Sequence, residues 1–139
     1  MVNPYFHTFG YKAGILPSIL FGTTMIPLAV YSPTEAMRVV ESERATVFPG
    51  APTIFQTILD DPARAAHDLS SLRLVVTGAA IVPVVLIERI QRDLGVDTVI
   101  TAYGQTESSG FITTCTPADD DVTVATTCGR AFDGMEIAL

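Results

Sequence analysis

Short apolar runs alternate with amphipathic stretches along this chain, and that alternation predicts its elements. Tyr11 to Phe21 reads as a helix broken at Gly22. Met25-Ile26-Pro27-Leu28-Ala29-Val30 reads as a strand near a sheet edge, because Pro27 has no N–H to give to a ladder. In Ser32-Pro33-Thr34-Glu35 a cap residue precedes proline at the first helical position, with Glu three residues after the cap; this is a capping box. The helix it opens sets Ala36, Val39 and Val40 on one face. Ala45-Thr46-Val47-Phe48 predicts a second strand, stopped by Pro49-Gly50. Ile54, Phe55, Ile58 and Leu59 mark the inner face of a helix ended by Asp61-Pro62, and Asp68 to Ser71 is a polar turn.

Arg73 to Thr77 predicts a third strand, running into Gly78-Ala79-Ala80. A helix follows with Pro83 near its start, Leu86, Ile87, Ile90 and Leu94 facing inward, and Gly95 as its stop. Asp97 to Thr101 predicts a fourth strand. Phe111 to Thr116, Val122 to Thr127 and Met135 to Leu139 read as short strands, the first two around an acidic turn. Strands separated by helices pair in parallel through right-handed crossovers. The expected fold class is therefore α/β: a doubly wound, mostly parallel sheet flanked by helices, with a small β appendage at the C-terminal end. With no internal repeat and no low-complexity linker, the 139 residues read as one domain.

Composition sharpens this picture. Apolar residues make up 48% of the chain and charged residues 17%, which suits strands covered by helices on both faces. A net charge of −7 argues against nucleic acid or an anionic membrane as the main partner. Cys115 and Cys128 have neither CxxC spacing nor a neighbouring histidine, so they read as two buried free thiols of a cytosolic protein. No charge falls between Lys12 and Glu35, but Pro17, Gly22, Pro27 and Pro33 interrupt a stretch that would need about 20 predominantly apolar residues to span a bilayer. No signal peptide is evident at the N-terminus, and the expected location is cytoplasmic.

The chemistry concentrates in Tyr103-Gly104-Gln105-Thr106-Glu107, at the carboxyl end of the fourth predicted strand, where open α/β sheets bind ligands. An aromatic face stacks on a purine, a hydroxyl donates to phosphate, and a carboxylate holds Mg²⁺. An ordinary strand-to-loop turn is the competing reading. No GxGxxG and no GxxxxGK[ST] occurs, so a nucleotide would be held by loop amides, Thr106 and a metal on Glu107. The small residues Gly78, Ala79 and Ala80 would let a flat ring approach, although tight helix–strand packing needs them equally. His7, in the aromatic-dense Pro4 to Gly10, reads first as a packed core histidine; the alternative is a pocket gate or proton shuttle. Phe48 to Thr53 reads as a strand-to-helix loop on the same edge, lining a channel or forming a stiff turn. Asp119-Asp120-Asp121 reads as a solvated turn, and His67 as a surface residue.

Four segments resemble the adenylate-forming acyl-CoA ligases, in the family's order. Tyr103 to Glu107 resembles its YGxTE signature, and Pro4 to Gly10 its P-x-F-H-x-x-G segment. Thr77 to Ala80 resembles its glycine-rich adenine loop, and Gly129-Arg130 with Gly134-Met135-Glu136 its G-R-P-x-x-G-x-E segment. The match is most similar to bacterial fatty-acid–CoA ligases. The resemblance implies ATP, AMP, Mg²⁺ and CoA as cofactor, product or co-substrate, and a carboxylic acid as the other partner. It implies adenine stacked on Tyr103 opposite Gly78, Ala79 and Ala80, with Gly104 and Gln105 in the same nucleotide loop. It places Thr106 on the α-phosphate, Glu107 on Mg²⁺, and His7 between the acyl pocket and the reacting carboxylate. Phe48 to Thr53 would lie near the acyl pocket or pantetheine tunnel.

Ala102, Ala131 and Asp133 depart mildly from the family pattern. The family's Ser/Thr/Gly-rich phosphate loop, ribose-binding aspartate and catalytic lysine have no counterpart in these residues. Met1 to Pro4 opens straight into a core-like motif and Glu136 to Leu139 stops in an apolar run, so residues 1–139 are expected to be an internal piece of the family's large N-terminal domain. Such a piece is expected to form no thioester alone and to self-associate through uncovered apolar surface. A standalone α/β module that binds an adenine nucleotide without catalysis is the alternative.

Overall fold

In a computed structural model, residues 2–138 are described. The chain opens with one continuous helical run: α1 (Thr8–Gly10), a wider π-helical turn (Tyr11–Ile15) and α2 (Leu16–Phe21), closed by Gly22 in the left-handed conformation. The Met25–Val30 segment is not a strand: it crosses to the next helix without joining the sheet. Pro27 removes a donor there, and its would-be neighbour β1 (Val47–Gly50) carries Pro49. The N-cap half of the expected capping box forms, whereas the Glu35 carboxylate pairs with Arg38 at 2.7 Å instead of reaching back to the Ser32 N–H. Ser32 Oγ accepts from the Glu35 N–H at 3.2 Å, Pro33 opens α3 (Pro33–Glu43), and the buried face is Ala36, Met37 and Val40.

The strand expected at Ala45 to Phe48 lies two residues later, so β1 absorbs Pro49-Gly50. The Phe48–Thr53 segment is consequently strand and helix start rather than loop, because α4 (Pro52–Leu59) begins at Pro52. β2 (Leu74–Gly78), α5 (Val84–Leu94) and β3 (Thr98–Tyr103) follow, with Pro83 and Gly95 as the caps of α5. Beyond them come a 3₁₀ turn (Thr106–Ser108), β4 (Thr113–Thr114), α6 (Asp121–Thr126) and β5 (Arg130–Ala131). Val122 to Thr127 is therefore helical, not extended. Asp120 accepts from the Thr123 N–H at 2.7 Å and opens the helix, which outweighs the β-branched content. Met135 to Ala138 forms no strand, and Leu139 lies outside the described residues.

The sheet runs β1-β2-β3-β4-β5. β1, β2 and β3 pair in parallel, whereas β4 and β5 turn back antiparallel as the β appendage. The class is thus α/β with a mixed sheet. Sequential parallel order with right-handed crossovers brings α4 and α5 to one face, where they pack on each other and α6 packs beside α5. Val75, Val99, Phe55, Ile58, Ile87 and Ile90 form the core of that layer. Leu74, Val76, Ile100 and Ala102, on the opposite face, are only half-buried.

Two readings of single residues change. Cys115 is buried, but Cys128 is exposed. His67 is mostly covered, its Nδ1 2.9 Å from the Glu41 carboxylate.

Candidate functional site

Parallel strands end together, so the carboxyl ends of β1, β2 and β3 define one rim. Register places Gly78 beside Ala102, and Gly50 beside Thr77, across that rim. The N-terminal segment is tied to it through Asn3, whose Nδ2 donates to the Pro49 carbonyl at 3.3 Å. This tie carries His7 to the strand ends. A cavity of about 40 Å³ results, lined by His7, Phe9, Gly78, Ala79, Gly104 and Gly110 among others. Four of the sequence candidates, His7, Gly78, Ala79 and Gly104, thus converge from three distant segments.

Glycine is required at this rim for contact reasons. A Cβ on Gly78 would lie 2.5 Å from the Ala102 carbonyl oxygen, and one on Gly104 would overlap the Gly110 carbonyl. The Gly104 approach is fixed by the loop's own bonds: the Gly110 N–H donates to Gln105 O at 2.9 Å and Ile112 N–H to Tyr103 O at 2.8 Å. Ala79 sits at φ 66°, a left-handed conformation that costs an L-residue about 1–2 kcal/mol. Strain of this kind gathers at ligand clamps.

The remaining candidates do not line the cavity. Tyr103 is 44% exposed, leaving a ring face open. Ala80, Gln105, Thr106 and Glu107 are exposed. The Thr106 hydroxyl and the Glu107 carboxylate bond no other described residue, so both are available to a ligand. No group of three His, Cys, Asp or Glu residues stands ready for a metal among the described residues. A single free carboxylate fits an ion such as Mg²⁺, which takes one or two carboxylates with substrate phosphates and water. It does not fit an all-protein cage. The exposed tyrosine ring fits a flat heterocycle, whereas the space a side chain would take at Gly78 and Gly104 is filled by the Ala102 and Gly110 carbonyls.

His7 is exposed, contrary to the packed-core reading. It caps the helix instead: its Nδ1 accepts the Phe9 N–H at 3.1 Å. That bond puts the proton of the neutral ring on Nε2. Phe111 and Gly110, which the sequence reading passed over, also line the cavity. Phe111 stacks edge-on against Phe9 with centroids 6.0 Å apart, joining the two segments. The signal was a second glycine six residues after Gly104, followed by an aromatic. The acidic turn is likewise more than solvated surface. Asp119 accepts from the Thr116 N–H at 2.7 Å and pairs with Arg130 at 3.0 Å, and chiefly the Thr116 bonds hold its carboxyl below the usual range.

The chain belongs to the AMP-binding enzyme family, whose model matches residues 1–139. It is 57% identical over 138 residues to 3-[(3aS,4S,7aS)-7a-methyl-1,5-dioxo-octahydro-1H-inden-4-yl]propanoyl:CoA ligase of Mycobacterium tuberculosis, covering 99% of this chain and 27% of that one. To the ligase of the same name in Rhodococcus jostii it is 56% identical over 139 residues, covering 100% of this chain and 27% of that one. Its fold is similar to the crystal structure of the N-terminal domain of FACL13 from Mycobacterium tuberculosis, with a TM-score of 0.83 and 27% identity over 94% of this chain and 32% of that one. The chain therefore spans about a quarter of the length of the curated relatives it matches. No helix among the described residues is long and apolar enough to cross a membrane.

Proposed function

We propose that this chain supplies the adenine- and acid-facing rim of an AMP-forming acid–CoA ligase. The observation that carries the reading is the 57% identity over 138 residues to a CoA ligase of Mycobacterium tuberculosis. The reaction joins a carboxylic acid to ATP, releasing pyrophosphate and giving acyl-AMP, whose AMP the CoA thiol then displaces. A carboxylate is a poor electrophile, and adenylation replaces an oxide leaving group with a phosphate. The acid is first of all a fused-ring propanoate like the one that names the two relatives, with fatty acids as the broader class.

Tyr103 stacks on adenine, with Gly78, Ala79 and Ala80 as the opposite wall and Gly104 and Gln105 as the loop beneath. Thr106 donates to the α-phosphate. Glu107 binds Mg²⁺, which when bound neutralises charge at the phosphates. His7 directs its Nε2–H toward the reacting carboxylate and orients it. The enzyme works in the cytoplasm. The isolated 139 residues self-associate through Ile19, Leu20 and Phe21, each more than 70% exposed.

A non-hydrolysable acyl-sulfamoyl-adenosine tests the reading. It should raise the melting temperature of the ligase containing this chain, and Tyr103→Ala should abolish the rise. Equal stabilisation of the Tyr103→Ala variant would contradict the assignment of the adenine face.

A further inference from the structure

The exposed His7 lines the cavity at the strand ends because its segment is anchored on both sides of it. After His7, Phe9 packs edge-on against Phe111 with ring centroids 6.0 Å apart. Before it, Asn3 Nδ2 donates to the Pro49 carbonyl at 3.3 Å. The backbone between Asn3 and His7 is stiff. Pro4 has a fixed φ, and the His7 N–H donates to the Pro4 carbonyl at 3.1 Å. That carbonyl rests on Gly10, where a Cβ would overlap it. A shift at Asn3 is therefore passed on to His7 rather than absorbed on the way.

The pairing of Asn3 with Pro49 has a chemical reason. β1 is the edge strand of the sheet, and its Pro49 has no N–H. Position 49 thus offers an incoming segment an acceptor and no donor. A further strand would exchange both N–H and C=O groups, whereas a side-chain amide needs only the acceptor. Pro49 is buried, so loss of the Asn3 donor would leave its carbonyl short of a hydrogen bond away from water. Asn3 itself does not line the cavity, and Tyr103, Thr106 and Glu107 belong to a separate segment at and after the end of β3. We propose that Asn3 is a positioning residue for the adenylation step: by fixing its segment to β1, it sets the approach of the His7 Nε2–H to the carboxylate of the acid. The inference rests on the ligase reading above, in which His7 orients that carboxylate.

The test is a double-mutant cycle in the complete ligase, with adenylation of the dioxo-octahydroindenyl propanoate followed as acid-dependent pyrophosphate exchange. Asn3→Leu and Asn3→Asp are close to asparagine in size and lack the amide donor. Each should lower the maximal rate by roughly 10-fold or more, since a small misplacement of a group that orients the substrate is costly. The KM for ATP should not move. In the His7→Ala background the same changes should cost less than about 2-fold, because a residue that acts through another is not additive with it. Asn3→Gln restores a donor and should recover part of the rate. An equal loss in both backgrounds, a raised KM for ATP, or loss of the fold in both Asn3 variants overturns the proposal, since Asn3 then serves the structure at large. Wild-type rates in both Asn3 variants overturn it as well. Wild-type kinetics in His7→Ala overturn the role of His7 and the proposal with it, while leaving the ligase reading intact. Absence of acid-dependent exchange with any acid overturns the ligase reading and the proposal together.

Discussion

Gly104 and Gly110 meet backbone to backbone, with the Gly110 carbonyl occupying the space a Cβ on Gly104 would need. That contact closes the loop carrying Thr106 and Glu107 and sets the floor of the candidate site. Gly104→Ala should push the two backbones apart and destabilise the fold by about 1–3 kcal/mol, the usual range for overpacking. Urea denaturation measures it. A change below about 0.5 kcal/mol would show that the loop opens freely.

Ala79 carries a side chain in a conformation that favours glycine. Ala79→Gly should remove about 1–2 kcal/mol of native strain, offset by about 0.4–1 kcal/mol from a more flexible unfolded chain. The expected outcome is neutral to mildly stabilising, whereas Ala79→Val should destabilise clearly. Paired thermal melts of the two variants check the order, and a stability loss in the glycine variant would contradict it.

The Glu107 side chain bonds no other described residue. Glu107→Gln should therefore leave stability within about 0.5 kcal/mol of wild type. Loss of one charge-stabilising group should cost about 100-fold or more in kcat. Steady-state kinetics over a Mg²⁺ series tests the metal role, and unchanged Mg²⁺ dependence in the variant would remove it.

Acid sensitivity has named sources. Glu41 accepts from His67 and from the Asp68 N–H, and both bonds hold its carboxyl below the ordinary 4.5. Asp119 and Asp120 are lowered chiefly by the backbone N–H groups of Thr116 and Thr123, from an ordinary 3.8. A carboxylate whose folded pKa lies below its unfolded one stabilises the fold above the unfolded value. That contribution is lost as pH falls through the folded value. Stability should hold near neutrality and decline below about pH 4.5. Glu41→Gln should flatten the upper part of that decline, which urea titrations at stepped pH would reveal. An identical acid limb in the variant would rule out Glu41 as a contributor.

Much of this was legible in the chain. The helices at 33–43, 52–59 and 84–94 announced themselves through caps and spacing, because Ser32, Pro33, Glu35, Pro83 and Gly95 act locally. The failures were places where local preference met a longer-range decision. Val122 to Thr127 has strand-like composition, yet Asp120 caps it and the Thr126 and Thr127 hydroxyls bond back to Val122 and Thr123 carbonyls, leaving it helical. Met25 to Val30 looked like a strand because it is an apolar run, yet Met25, Pro27, Ala29 and Val30 are exposed and the segment joins no strand of the sheet. Tyr103 to Glu107 was readable as a strand end running into a loop, but not its closure on Gly110, since that contact depends on the Gln105–Gly110 turn. His7 was misjudged because a histidine among aromatics predicts burial, and its role as a helix cap depends on backbone direction.

The isolated 139 residues should form no acyl-CoA, since they hold no glycine-rich loop for the triphosphate. Thioester formation by this segment above a protein-free blank would contradict that expectation.

The most direct measurement is exchange of labelled pyrophosphate into ATP by the complete ligase containing this chain, with and without acid and in the absence of CoA. Adenylation at this rim predicts exchange that requires both acid and Mg²⁺, does not need CoA, and disappears in Glu107→Gln. Exchange that proceeds without acid, or that survives unchanged in Glu107→Gln, would contradict the assignment of this site.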